Sequence, residues 1–563
     1  MRYTSYMPVH FDEDKQLRRS LELRHKEAEH FAQMISDSTG IPYVDLTLVS
    51  VSPDALAEIE EHEARALKVA AYQMAGKSIS VAAFSPTKAE VVALIARLEK
   101  AGFIPKLFVA TELSLERAWK YYEDIQRIER TKIGQIDISA DAIANFSKDV
   151  HTISDASKVV RELVTAKSGT RTTDTLEALL ASAIALGASD IHLEPEESLV
   201  KARFRLDGLL HDIATFNAHI YKLLISRIKL LSALKLNVES SRQDGRFSVA
   251  TGESAVDIRT SIIPGAYGES AVLRILDPDS IKVTLAQLGM SKLMLDIMVR
   301  EIGKPNGLIL NTGPTGSGKT TTLYTFIKEV NNPGVKIITI EDPIEYHVEG
   351  VVQTQVNQKK GYTFFEGLKS AMRQDPDIIM VGEIRDNETA GTAVDAALTG
   401  HLVFSTLHTN NAAGTIPRLI DLGVNPKVLG PALNVAMAQR LIRRLCKTCS
   451  QDVDPTDEQL AIINKQVTSL KEIEIEVVVP DKLKAPVGCT KCSGIGYKGR
   501  MGVYELILIN DDIETLLDKN PSEREIWAIA RKQKIPQLAE DGIMKVLEGL
   551  TTIEELARVV DLS

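Results

Sequence analysis

The chain has 563 residues, 44% of them hydrophobic and 25% charged, and a formal net charge of −10. That is ordinary globular composition, with length for roughly three or four domains that each bury a core. The acidic average argues against a chain built mainly to coat nucleic acid. No apolar run approaches the roughly 20 residues that span a bilayer, and the opening "MRYTSYMPVHFDEDKQLRR" lacks the apolar core of a signal peptide. A cytosolic protein that reaches a membrane only through a partner is expected.

Residues 1–130 alternate helical and extended patterns. "LRRSLELRHKEAEHFAQMI" is helical and "KSISVAAF" strand-like; "SPTKAEVVALIARLEKAG" opens on Ser-Pro and closes on Gly102, a plausible cap at each end. "KLFVAT" and "SLERAWKYYEDI" repeat the order, giving a small α/β domain without a chemical motif. Residues 131–173 read as a helical linker closing on the hinge "AKSGTRTTD", or alternatively as an extra packed helix pair. Residues 174–280 form a second domain. The helix "TLEALLASAIALG" precedes strands in "SDIHLEP" and "LVKARFRLDGLLHDI", the latter folded about an Asp-Gly turn at Asp207–Gly208. Another Asp-Gly occurs at Asp244–Gly245, and "AVDIRTSIIP" and "ESAVLRIL" add strands. From 281 to 563 comes a large α/β domain with a cysteine module at 446–492 and C-terminal helices.

"GLILNTGPTGSGKTTTLYTFIKEV" places an apolar strand, the loop Gly313, Pro314, Thr315, Gly316, Ser317, Gly318, Lys319, Thr320 (with Thr321 following), and then a helix. This is a full phosphate-binding loop in its validating context. Glycines let backbone N–H groups wrap phosphate oxygens, Lys319 pairs with the β- and γ-phosphates of ATP, and Thr320 offers a hydroxyl to Mg²⁺. Three later strands deliver polar groups at their ends: "VKIITI" leads into Glu341, "DIIMV" into Gly382 and Glu383, and "HLVFSTLH" into Ser405, Thr406 and His408. In an open parallel sheet these ends line the ligand edge. The second strand supplies a Glu where a magnesium-binding Asp is expected, and Glu341 is the candidate second acid. Helix caps or surface charge are the plain alternatives for both acids, and a structural role for His401. "CKTC" at Cys446 and Cys449 and "CTKC" at Cys489 and Cys492 fit a closed tetrahedral Zn²⁺ site at the base of an inserted subdomain, with a redox pair as the alternative.

Together with "ASDIHLEP", "FRLDGLLH", "RQDGRFS", "TIEDPIEY", "MRQDPDIIMVGEIRD", "LTGHLVFSTLHTN", "QRLIRRLCKTC" and "CTKCSGIGYKGRMGVYELI", these motifs resemble the assembly ATPases of type II secretion and type IV pilus systems, over residues 130–563. "IPYVDLTLVSVSPDAL" looks like the N-terminal domain of that family. The resemblance implies a RecA-like P-loop ATPase domain with an inserted zinc-binding subdomain, preceded by a PAS-like α+β domain and a small N-terminal α/β docking domain.

It further implies Glu341 as general base, Glu383 as organiser of Mg²⁺ and water, His401 and His408 in a histidine box, and Arg259 and Arg274 acting on nucleotide from the second domain. Implied partners are five further copies in a homo-hexamer, an inner-membrane platform protein and a cytoplasmic adaptor at the N-terminal domain, without nucleic acid or membrane insertion. Lys369 stands where many relatives carry Arg. The "RLGxxL" repeats that bind cyclic di-GMP in some relatives are absent, so that ligand is not expected, and the cysteine module favours assembly over retraction. Two competing readings remain: a nucleotide-gated adaptor that barely hydrolyses ATP, and a nucleic-acid translocase. No NKxD motif points to GTP.

Overall fold

The computed structural model describes residues 28–122, 135–136, 150–165, 172–251, 254–276 and 283–562, apart from positions 48, 50, 53, 54, 57, 76, 77, 101 and 120. The stretch read for a signal peptide and most of the "AKSGTRTTD" hinge lie outside the described residues. The chain divides into two compact units, Met1–Ile136 and Asp137–Ser563.

The first unit runs α1 (Glu61–Leu67), β1 (Val69–Ala75), β2 (Ser78–Ala83), α2 (Ala89–Lys100), β3 (Ile104–Val109), α3 (Glu112–Trp119). Its sheet has the order β1-β2-β3, antiparallel then parallel. The parallel pair needs a crossover, and α2 supplies it. Val91, Leu94 and Leu98 repeat at helical spacing and turn one face of α2 into the core. Trp119 Nε1 donates to Val69 O at 2.9 Å and ties the last helix to the first strand.

In the second unit α4 (Ile153–Thr165) and the apolar α5 (Thr172–Leu186) precede β4 (Asp190–Pro195), β5 (Val200–Leu206), β6 (Leu209–Phe216), α6 (Ala218–Leu231), β7 (Gln243–Thr251), β8 (Ser254–Gly265) and β9 (Gly268–Leu276). These strands stand in the order β7-β8-β9-β4-β5-β6, all antiparallel. Asp207 and Gly208 have φ of 46° and 91° and join β5 to β6, the tight turn their sequence predicts. The second Asp-Gly is no turn. Asp244 and Gly245 lie inside β7, opposite Ser261 and Thr260. A Cβ on Gly245 would stand 2.3 Å from Ser232 O, so glycine here admits the end of α6.

The sheet of the large domain follows α7 (Lys292–Ile302). It comprises β10 (Gly307–Thr312), then α8 (Lys319–Val330), β11 (Ile337–Glu341), β12 (Val352–Gln355), α9 (Phe364–Ala371), β13 (Ile378–Val381), α10 (Asn387–Leu398), β14 (Leu402–Leu407) and β15 (Leu433–Leu445). After an insertion, β18 (Tyr497–Leu508) closes the sheet; the insertion carries β16 (Gln451–Val453), α11 (Asp457–Glu472) and β17 (Leu483–Ala485). Sheet order is β12-β11-β13-β14-β10-β15-β18, parallel throughout except for β18. Every residue of β10, β11, β13 and β14 is buried. Helices cover both faces, which explains why these strands read as nearly unbroken apolar runs. Because they are parallel, their carboxyl ends share one edge, and the P-loop leaves from it.

Candidate active site

The P-loop rests on a buried side chain from the neighbouring strand. Gln439 of β15 accepts from Asn311 Nδ2 at 2.8 Å and from Thr322 Oγ1 at 2.9 Å, and donates to Tyr504 Oη at 3.3 Å. A Cβ on Gly313 would lie 2.6 Å from Gln439 O, and one on Gly318 2.8 Å from Gln439 Nε2. Both glycines are therefore required by contact as well as by their φ of 150° and 91°. Lys319 Nζ donates to Gly313 O at 2.7 Å and Pro314 O at 3.2 Å, folded back on the loop. Burial brings its pKa down to about 8; the Glu383 carboxylate pulls it up and the Arg440 guanidinium pushes it down. Ser317 Oγ is buried without a partner, while Pro314, Thr315, Gly316 and Thr320 are exposed and Thr321 is half-buried. A loop with an unsatisfied hydroxyl, a charge-bearing lysine and a helix N-terminus behind it suits a polyphosphate.

Three strand ends bring further groups. Glu383, after β13, has Oε2 3.4 Å from His408 Nε2 and also pairs with Arg385. Glu341, the last residue of β11, is 3% exposed. Its Oε1 accepts from Thr339 Oγ1 at 2.6 Å and Gln353 Nε2 at 3.1 Å, and its Oε2 from the Tyr324 hydroxyl. Ser405 and Thr406 spend their hydroxyls on Val381 O and Gly382 O, at 2.8 and 2.7 Å, and hold β14 to the end of β13. Lys319, Glu383 and His408 thus meet at one edge, with Glu341 beside them on β11. His401 does not join them. It precedes β14, pairs its carbonyl with Gly307 N at the start of the P-loop strand, and holds Nδ1 3.0 Å from Ala396 O.

Arg259 and Arg274 are cross-strand partners on β8 and β9. Arg259 reaches the segment after β11, donating to Ile344 O at 2.6 Å and pairing with Glu345. Arg274 stays on its own sheet, 3.1 Å from Asp190 Oδ1.

The four cysteines stand where the insertion leaves β15 and rejoins β18. Their sulfurs all lie within 4.8 Å of one another, with Cys446–Cys489 at 3.8 Å and Cys449–Cys492 at 3.7 Å. Thiolates about 2.3 Å from a central ion form a tetrahedron with edges of about 3.8 Å, so the donor set fits such an ion. Gly488 N and Gly496 N point at Cys449 Sγ and Cys492 Sγ, at 3.3 and 3.2 Å. The turn and the start of β18 also meet earlier parts of the unit: Ile153 N, at the start of α4, donates to Ser493 O at 3.3 Å, and Gly499 N to Asp207 Oδ2 at 2.9 Å.

Sequence reading overlooked Tyr324, Gln439 and Arg440. Arg440 donates to Gln439 O at 3.0 Å and to Asn410 O, bridging the P-loop seat to the segment after His408. A polar pair interrupting the apolar run "LNVAMAQRLI" was the available signal.

Comparison with known proteins gives the family. The family model described as Type II/IV secretion system protein matches residues 166–558, and an MshEN domain model matches residues 39–129. Type II secretion system protein E of Pseudomonas aeruginosa is 45% identical over 384 residues, 68% of this chain and 74% of that protein. Type IV pilus assembly ATPase PilB of Myxococcus xanthus is 34% identical over 536 residues, 94% of this chain and 91% of that protein. The X-ray structure of the Legionella pneumophila ATPase DotB shares the fold, with a TM-score of 0.51 at 20% identity, covering 70% of this chain and 98% of that one. No helix among the described residues is long and apolar enough to cross a membrane. The chain belongs to the Type II/IV secretion system protein family and is an ATPase of its secretion and pilus-assembly members.

Proposed function

We propose that this ATPase works as a cytoplasmic homo-hexamer, docked at the inner membrane through a platform protein, and spends ATP hydrolysis on assembling pilin or pseudopilin subunits. The observation that carries the catalytic reading is the meeting of Lys319, Glu383 and His408 at the sheet edge where the P-loop turns. Lys319 leaves the loop carbonyls for the β- and γ-phosphates. Thr320 and Glu383 would hold Mg²⁺, which would supply charge neutralisation for the transferring phosphoryl group, and Gly313 to Thr321 wrap the phosphates. Glu341 takes the proton of the attacking water, and His408, at 3.4 Å from Glu383, senses the γ-phosphate. Arg259, already on the segment after β11, and Arg274 add cations from the second domain. His401 contributes from the far end of β14 as a positioning group. The four cysteines hold Zn²⁺, a closed structural site without catalysis. Residues 1–130 dock an adaptor, 131–173 link, and 174–280 rotate against 281–563.

Steady-state phosphate release by the full-length protein tests this. Glu341→Gln and Glu383→Gln should each lower kcat by on the order of a hundredfold or more while nucleotide still binds. Parental turnover in both variants would sink the site; negligible turnover in the parent itself would leave a nucleotide-gated adaptor, and strong stimulation by single-stranded DNA would point to a translocase.

A further inference from the structure

Glu341 is scarcely exposed, and its two oxygens are held by different parts of the fold. Oε1 takes its donors from the sheet: Thr339 on the same strand at 2.6 Å, and Gln353 on β12 at 3.1 Å. Oε2 takes the Tyr324 hydroxyl, which belongs to α8, the helix that begins at Lys319. The tyrosine has little freedom of its own. It is 2% exposed, its ring meets Tyr346 edge-on at 6.5 Å and 70°, and its hydroxyl also lies 3.4 Å from Tyr346 O. Burial and the Glu341 carboxylate both push the phenol pKa upward, so the hydroxyl stays a donor.

We propose that Tyr324 is a positioning residue for ATP hydrolysis: its hydroxyl fixes the Glu341 carboxylate against the P-loop helix, so that phosphate seated on Lys319 and base share one rigid reference. The proposal rests on Glu341 being the base. With Oε1 anchored to the sheet and Oε2 to the helix, the carboxylate is held from two sides, and the remaining lone pair of Oε2 keeps one direction. Without the hydroxyl, the sheet alone holds the group and one oxygen is free to swing. Misplacing a general base by a fraction of an ångström lowers the rate without weakening ground-state binding.

The test uses full-length protein with ATP, comparing the parent, Tyr324→Phe, Glu341→Gln and the double variant. Tyr324→Phe keeps the ring. It should lower kcat about tenfold and leave KM for ATP and the Kd for ADP within about twofold. Because Tyr324 acts through Glu341, adding Tyr324→Phe to Glu341→Gln should cost nothing further, the non-additivity of coupled residues. Replacing Tyr324 by 3-fluorotyrosine preserves shape and should change kcat in the parent but not in Glu341→Gln, which keeps the proposal testable if the phenylalanine variant fails to fold. Parental kcat in Tyr324→Phe beside an inactive Glu341→Gln overturns the proposal and leaves the base intact. An equal loss in both backgrounds, or a loss carried by KM, makes Tyr324 merely structural and also overturns it. Parental kcat in Glu341→Gln removes the base reading itself, and the proposal with it.

Discussion

At the scale of single residues, burial acts on the charge that meets the nucleotide. Lys319 is 9% exposed, and removal from water lowers its pKa to about 8 from the usual 10.5. Only the protonated amine attracts phosphate, so nucleotide affinity is at its full value below pH 8 and falls as the free protein loses that proton. The apparent Kd for ADP should rise about tenfold between pH 7 and pH 9, by isothermal titration, and Lys319→Ala should show a flat profile over the same range. A flat parental profile would mean that the lysine stays charged. The loop itself was readable, since the glycine spacing and flanking periodicity are local. Gln439 was not. Its partners Asn311 and Thr322 are far away in sequence, and nothing in a strand's pattern announces that a buried amide supports a loop on the next strand.

Elements come out where hydrophobic periodicity is strong, and the misleading cases are short motifs with two physical meanings. Asp207–Gly208 and Asp244–Gly245 look alike in sequence. At the first, Gly208 has φ 91° with open space around a Cβ; at the second, the backbone is a regular strand and the space is filled by Ser232 O at 2.3 Å. The same substitution therefore acts through different terms. Gly208→Ala should cost about 1 kcal/mol, from backbone conformation alone. Gly245→Ala should cost about 2–3 kcal/mol, because backbone must move to admit a methyl group. Denaturant melts of the two variants check the order; a larger loss at Gly208 would contradict it. Parallel strands could be named from their unbroken apolar runs, but their order could not. That β14 lies between β10 and β13 is set by crossovers whose packing is non-local.

Across the whole molecule, the cysteine cluster does more than close an insertion. Its turn accepts Ile153 N through Ser493 O, and Gly499 N reaches Asp207 on the tip of the β5–β6 hairpin. The full-length protein should carry one metal ion per chain, lost in Cys489→Ser. That loss should speed amide hydrogen exchange at Ile153 and Gly499 well before it touches the P-loop helix. Unchanged exchange at both amides would show that the turn holds its shape unaided. Sequence spacing sufficed to bring the four cysteines together because ligand chemistry is stereotyped, whereas the contacts to α4 and to Asp207 start from two backbone amides that no residue pattern announces. The helix beginning at Lys319 has a related consequence. It works as a ruler: Tyr324 meets Glu341 because about one and a half helical turns separate it from the phosphate-binding amine. A single residue inserted between Thr321 and Tyr324 would leave the phosphate-binding loop from Gly313 to Thr321 intact. It would also swing the hydroxyl about 100° around the helix axis, away from the carboxylate. Such a chain would still look like a motor, with its two halves out of step.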